Sequence, residues 1–276
     1  MGAGTRHDSA RPLDYGAKIM SENPTPHTHA DADFGFRKVG EHEKSGLVRQ
    51  VFDSVASKYD IMNDLMSAGV HRLWKATMID MVAPRAGQKF LDVAGGTGDI
   101  AFRLVDRLGG RPKIPVTVCD INAEMLAVGR DRAIDHGLLD GVVWSCGDAE
   151  ALPFPDASFD VTTIAFGLRN VTHIERALSE ARRILKPGGR YLCLEFSHMV
   201  IPGLDKLYDA YSFSVLPVLG QMIAGDRAAY QYLAESIRKF PDQRTLCSKM
   251  TDAGFSQAIH RNLSGGIAAI HSGWRI

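Results

Sequence analysis

The run Leu91-Asp92-Val93-Ala94-Gly95-Gly96-Thr97-Gly98-Asp99-Ile100 joins an apolar strand with an acidic end to a glycine-dense turn and a helix start. Glycines there let the backbone pass close to a bound ligand and take dihedrals that a Cβ forbids. In open α/β sheets such a strand–turn–helix sits where nucleotides bind, at the carboxyl ends of the strands. Gly95, Gly96 and Gly98 are therefore candidate cofactor contacts. Gly96-x-Gly98-x-x-Ala101 also satisfies the dinucleotide fingerprint with its tolerated final Ala. The loop alone leaves two cofactor classes open.

Two further strand-like runs end in acids: Val116 to Asp120, and Val142 to Asp148. An Asp ending the second strand can take both ribose hydroxyls of an adenosine, because a carboxylate accepts two hydrogen bonds. An Asp ending the third can accept from an adenine amino group. A dinucleotide reading uses Asp120 and leaves Asp148 idle; an S-adenosylmethionine reading uses both. Asp is also a common turn residue, which accounts for any one of Asp92, Asp120 and Asp148 but poorly for all three in register with the glycine loop.

Positioning these residues requires an alternation of elements. The pattern predicts strands at 89–94, 114–120, 142–147, 159–165 and 190–197, and helices at 98–108, 122–136 and 173–185. Strands alternating with helices imply a parallel sheet with right-handed crossovers. Lys186-Pro187-Gly188-Gly189 reads as a helix stop and turn. Helices are expected from about 227 and over 242–253. Phe255–Asn262 and Gly266–His271 read as a closing hairpin around Ser264-Gly265-Gly266. Upstream, 41–84 reads as a helical cap, with Leu47, Val48, Val51, Phe52 and Val55 on one face. Residues 1–40 are polar and aperiodic and read as a disordered tail. Residues 199–240 interrupt the rhythm with aromatic and aliphatic residues and are expected to form a substrate-side insertion of the single domain spanning 41–276.

The chain has 276 residues, 45% of them apolar, and no net charge, so no broad field invites nucleic acid. Its four cysteines form no CxxC pair, which fits a reducing compartment and no metal site. No apolar run is long enough to span a bilayer. A cytoplasmic protein is expected.

Tyr59-Asp60-Ile61-Met62-Asn63-Asp64-Leu65-Met66-Ser67 with His71-Arg72-Leu73-Trp74 resembles the N-terminal signature of the ubiquinone/menaquinone biosynthesis C-methyltransferases. Arg183 to Arg190, running on to Leu194-Glu195-Phe196-Ser197, resembles the second signature, and Phe166-Gly167-Leu168-Arg169-Asn170 also fits. The resemblance covers roughly residues 34–276. It implies a class I methyltransferase (Rossmann-like) fold: a seven-stranded, mostly parallel sheet with a C-terminal antiparallel hairpin strand. It also implies methyl transfer from S-adenosylmethionine to a ring carbon of a polyprenylated benzoquinol or naphthoquinol. Family cofactor positions map onto Thr97, Asp120, Asp148 and Ala149. A further one, often Ser, is Ala165 here, so any hydroxyl contact is lost while a backbone contact can persist.

That chemistry needs a cation or donor at the ring oxygen and a base for the displaced proton. Ionising a phenol of pKa near ~10 at neutral pH costs roughly 4 kcal/mol. Arg169, after the fourth strand, is the expected cation. Asn170 either orients the second ring oxygen or caps the following helix. His71 is the expected base, sharing a helix face with Trp74. Tyr59, Asn63 and Trp74 are expected substrate contacts, with Tyr59 and Asp60 folding over the cofactor. Asp92 is expected to orient the glycine loop. Three other readings stay open: methylation of an oxygen or nitrogen acceptor, an NAD-dependent oxidoreductase, and an idle subunit of a quinone-biosynthesis complex. A homodimer is another possible partner state. An isoprenoid substrate further implies reversible contact with the inner-membrane surface, through Leu204–Ile223.

Overall fold

A computed structural model of the chain describes residues 1–2, 31–55, 64, 67, 69–138, 140–201 and 227–276. A hairpin of β1 (Asp31–Phe34) and β2 (Arg37–Gly40) precedes α1 (Glu41–Val55) and α2 (His71–Val82). Then follow β3 (Phe90–Val93), α3 (Asp99–Arg107), β4 (Val116–Asp120), α4 (Ala123–Asp135), β5 (Val142–Cys146) and β6 (Phe159–Ala165). The chain continues through α5 (Ile174–Ile184), β7 (Leu185–Phe196), α6 (Arg227–Lys239), α7 (Gln243–Asp252), β8 (Ser256–Leu263) and β9 (Ala268–Trp274).

Seven strands form one sheet in the order β5-β4-β3-β6-β7-β9-β8. β3 through β7 pair in parallel, and β9 runs antiparallel between β7 and β8. This is the expected architecture. The chain leaves β3 toward β4 on one side and returns to β6 on the other. That reversal opens a crevice at the strands' carboxyl ends. Alternate residues feed opposite layers. Leu192, Leu194 and Phe196 of β7 pack with α2 and α6, while Tyr191 and Cys193 pack with α5 and α7.

α2 shows how sequence spacing fixes a wall of the crevice. His71, Trp74, Lys75, Met78, Ile79 and Val82 are its buried residues, the i, i+3, i+4, i+7 stripe of a helix laid on a core. It stops at Ala83, whose φ of 47° closes the last turn, and Pro84 cannot continue a helix.

Two expectations need correction. Residues 31–40 are not tail: Ala32 and Val39 are buried, and Phe34 stacks on Tyr232 of α6 at 4.3 Å. The Lys186–Gly189 segment does not precede β7 as a separate turn. Leu185 already pairs with Phe159, the next partners are Arg190 and Val161, and the intervening residues bulge outward. Gly188, at φ 78°, allows that loop. The expected insertion and its Leu204–Ile223 segment fall largely outside the described residues, as do Tyr59, Asp60 and Asn63.

Candidate active site: a cleft over the glycine loop

The cleft encloses about 1080 Å³, its open mouth included, a size suited to a small-molecule cofactor and substrate. Its floor is the loop between β3 and α3. Ala94 and Gly96 take φ of 49° and 51°, and Gly98 takes 84° as the residue before α3. A second non-glycine residue of positive φ, Phe166 at 57°, follows β6 across the crevice. Backbone held in such conformations clusters at ligand-binding sites. A Cβ on Gly95 would lie 2.7 Å from Asp92 Oδ2, so the loop is folded tightly onto the strand end. Gly98 does not line the cleft. Its hydrogen faces Trp144 of β5, where a Cβ would sit 2.6 Å from the ring.

The expected cofactor residues converge here. Gly95, Gly96, Thr97, Asp120, Asp148, Ala149 and Ala165 all line the cleft. Asp120 Oδ2 accepts from the Gly96 N–H at 2.8 Å, and Oδ1 from Asn122 N–H at 2.8 Å. Burial pushes its carboxyl up, and those backbone donors oppose the shift. Each oxygen keeps a lone pair for a ligand hydroxyl. Thr97 Oγ1 accepts from Arg132 at 2.9 Å, which commits its side chain to α4. Asp148 is exposed at the end of β5, with Oδ1 accepting from Glu150 N–H at 2.9 Å.

α1 supplies the opposite wall through Ser45, Val48, Arg49 and Phe52. It is tied down at both ends. Asn122 Nδ2 donates to Asp53 Oδ1 at 2.7 Å. The His173 ring lies between Glu150 at 2.7 Å and Glu41 at 2.9 Å. Those two carboxylates hold the imidazole above its usual range.

The expected catalytic set is divided by the structure. Asn170 lines the cleft, receiving the Tyr232 hydroxyl on Oδ1 at 3.1 Å. It caps nothing: the residue before α5 is His173, without a side-chain cap. Arg169 turns away from this lining and is buried against Glu195, Nη1 to Oε2 at 2.9 Å, with both side chains 0% exposed. It also donates to the Phe166 carbonyl. The carboxylate of Glu195 therefore balances the charge expected at a ring oxygen. His71 is buried outside the cleft lining, with Nδ1 3.0 Å from Ser67 Oγ. Burial and the nearby Lys75 push its imidazole down to about 4, far from the range of an effective base at neutral pH. Trp74 belongs to the core, donating to Ser264 Oγ at 2.9 Å and packing edge-on against Phe196.

Sequence reasoning passed over Lys75, Asp99 and Glu150, which also line the cleft. Lys75 follows one quoted motif and Asp99 lies within another, but only the packing of α2 on α3 brings them together. Asp92 carries more than the expected orienting role. Its Oδ1 accepts from Thr163 at 2.8 Å, while Oδ2, buried in the cleft wall, has no hydrogen-bond partner among the described residues. Burial, reinforced by Asp99 and Asp120, raises this carboxyl to about 7. A folded-state pKa above the unfolded value means that stability falls as pH rises from about 4 through 7. Asp92→Asn is therefore expected to stabilise the unliganded protein at pH 8 by on the order of 1–4 kcal/mol, with little effect at pH 4. Urea unfolding at both pH values checks this. A gain of equal size at both would mean that Asp92 stays ionised throughout.

The glycine cradle, the buried carboxylate of Asp120 in the cleft lining, the outer Asp148 and the open acceptor on Asp92 fit S-adenosylmethionine, and the sheet order is that of a class I methyltransferase. Solved structures agree on the fold. A methyltransferase from Thermotoga maritima, described as a possible histamine N-methyltransferase, superposes with a TM-score of 0.57 at 21% identity, covering 83% of this chain and all of the other. One from Aquifex aeolicus superposes at 0.55 and 16% identity, covering 73% of this chain and 89% of that one. The chain belongs to the ubiE/COQ5 methyltransferase family, which it matches over residues 38–275. A ubiquinone/menaquinone biosynthesis C-methyltransferase of Paracoccus denitrificans is 59% identical over 252 residues, covering 91% of this chain and all of the relative. Its counterpart in a Ruegeria strain is 58% identical over 257 residues, covering 93% of this chain and all of that one.

Proposed function

We propose that this cleft methylates a ring carbon of a polyprenylated quinol, benzoquinol or naphthoquinol, in ubiquinone or menaquinone biosynthesis. The observation that carries the reading is the joint presence of Asp120 and Asp148 at successive strand ends in a chain of this family. The bound donor supplies an electrophilic methyl on a sulfonium. The protein's own part is largely positioning, which removes the entropy of bringing two reactants together. Gly95, Gly96 and Thr97 offer backbone to the donor; Asp120 takes the ribose hydroxyls and Asp148 the adenine amino group. Ala149 and Ala165 shape the sides.

Asn170 is the side chain that meets a ring oxygen. The Tyr232 hydroxyl occupies its Oδ1, and one Nδ2 hydrogen goes to the Phe166 carbonyl at 3.4 Å, which leaves the second Nδ2 hydrogen for a ring oxygen. Arg169 and Glu195 stand behind it as a positioning pair, fixing the Phe166 carbonyl and the turn that carries Asn170. Tyr59 and Asn63 are kept as substrate contacts on the strength of the signature alone.

No helix among the described residues is long and apolar enough to cross a membrane. In this reading a bilayer-resident quinol is met at the membrane surface. We place that contact around the Ser264–Gly266 turn. Val200 and Ile201 are exposed there by 55% and 44%, and Leu73, the neighbour of Trp74 in sequence, by 68%. Trp74 and Val200 both hydrogen-bond to the turn. Incubating the protein with S-adenosylmethionine and a reduced short-tailed demethylated quinol should yield a product heavier by one methylene in mass spectra. Transfer to oxygen, read from fragmentation, would overturn the C-methylation reading.

A further inference from the structure

We propose that Lys75 receives the α-carboxylate of S-adenosylmethionine. The inference rests on the reading of this cleft as the donor site. It assigns the end of the donor that Asp120 and Asp148 leave unheld.

The sheet order sets the direction. β5, β4, β3 and β6 lie side by side. With adenine at Asp148 after β5 and ribose at Asp120 after β4, the amino-acid end of the donor extends toward β3 and β6. Lys75 reaches that place from α2. Its Nζ bonds Asp99, the first residue of α3 after β3, at 2.6 Å. It also lies 5.8 Å from the ring centre of Phe166, which follows β6.

The ammonium is prepared for an anion. Its side chain is 4% exposed, yet Asp99 is its only hydrogen-bond acceptor among the described residues. An ammonium carries three donors, so two remain open on a cleft-lining group. A buried cation left short of acceptors is costly unless a partner completes it. Asp99 does not cancel the charge, because Arg103 also claims it, Nε to Oδ1 at 3.0 Å. Two cations thus share one carboxylate at the cleft wall. The α-carboxylate is the donor's one anionic group.

The test compares two ligands that differ only in that group: S-adenosylhomocysteine and its decarboxylated analogue, measured by calorimetry. Wild type should favour the carboxylate-bearing ligand by about tenfold to a hundredfold, the span of a hydrogen bond to a charged partner. Lys75→Met should bind both at the level of the decarboxylated compound. Lys75→Arg should retain part of the preference, which keeps the test open if Lys75→Met fails to fold. A wild type indifferent to the carboxylate overturns the proposal without any variant. So does a Lys75→Met protein that loses affinity equally for both ligands, since that loss reports only on the shape of the loop. Failure of wild type to bind either ligand would instead undo the donor-site reading itself.

Discussion

Arg169→Ala is expected to cost the protein about 3–5 kcal/mol of stability, because it strands the Glu195 carboxylate in a fully buried site. For a domain of this size that is a fall of roughly 10 °C in Tm. Turnover should fall as well, since Asn170 loses the scaffold beneath it. The stability loss has a specific remedy. Replacing both partners, Arg169→Met with Glu195→Leu, removes both charges and fills the space with apolar atoms. Such swaps of buried pairs are close to neutral and sometimes stabilising. The double variant should therefore regain most of the lost Tm in thermal melts. Its activity then separates two roles. If it is folded, binds the donor and turns over slowly, the guanidinium matters to the reaction itself. If it recovers activity along with stability, the pair is a scaffold. A double variant no more stable than Arg169→Ala would show that the stranded Glu195 carboxylate is not the source of the loss.

The contrast between Arg169 and the cleft-lining residues shows what was legible in the sequence. Gly95, Asp120 and Asp148 could be read because strand periodicity places them at strand ends, and a parallel sheet gathers its carboxyl ends along one edge. Their place in the cleft lining depends on backbone position more than on side-chain direction. Arg169 also stands after a strand, but its role depends on which way it turns. That is decided by Glu195 on β7, a strand adjacent in space and distant in sequence. Nothing local distinguishes an arginine aimed at a ligand from one aimed at a buried carboxylate. His71 fails for a related reason: its spacing with Trp74 correctly predicts a shared helix face, but that face is buried, and burial lowers the imidazole. The hairpin at 31–40 was illegible because its apolar content is small and its stabilising partner, Tyr232, lies on α6. Lys75 escaped because a lone lysine in an amphipathic helix ordinarily reads as solvent-facing.

Asp120→Ala should weaken S-adenosylhomocysteine binding by roughly 10²–10³-fold. Three effects combine. The two ribose hydroxyls lose their acceptor. The N–H groups of Gly96 and Asn122, both 2.8 Å from the carboxylate, lose theirs too. Buried donors left without partners cost about 1–3 kcal/mol each. The glycine loop is also released from the end of β4, so the cradle must be reordered on binding. Asp120→Asn tests how these divide. The amide keeps the volume and one acceptor oxygen, so one of the two backbone bonds can survive while the other site becomes a donor. Its affinity should fall between those of wild type and Asp120→Ala, with a smaller loss of Tm in the unliganded state. Calorimetry of both variants, paired with melts without ligand, separates ribose recognition from loop order. Equal affinities for wild type and Asp120→Ala would remove Asp120 from the donor site and return it to the role of a strand-end turn residue.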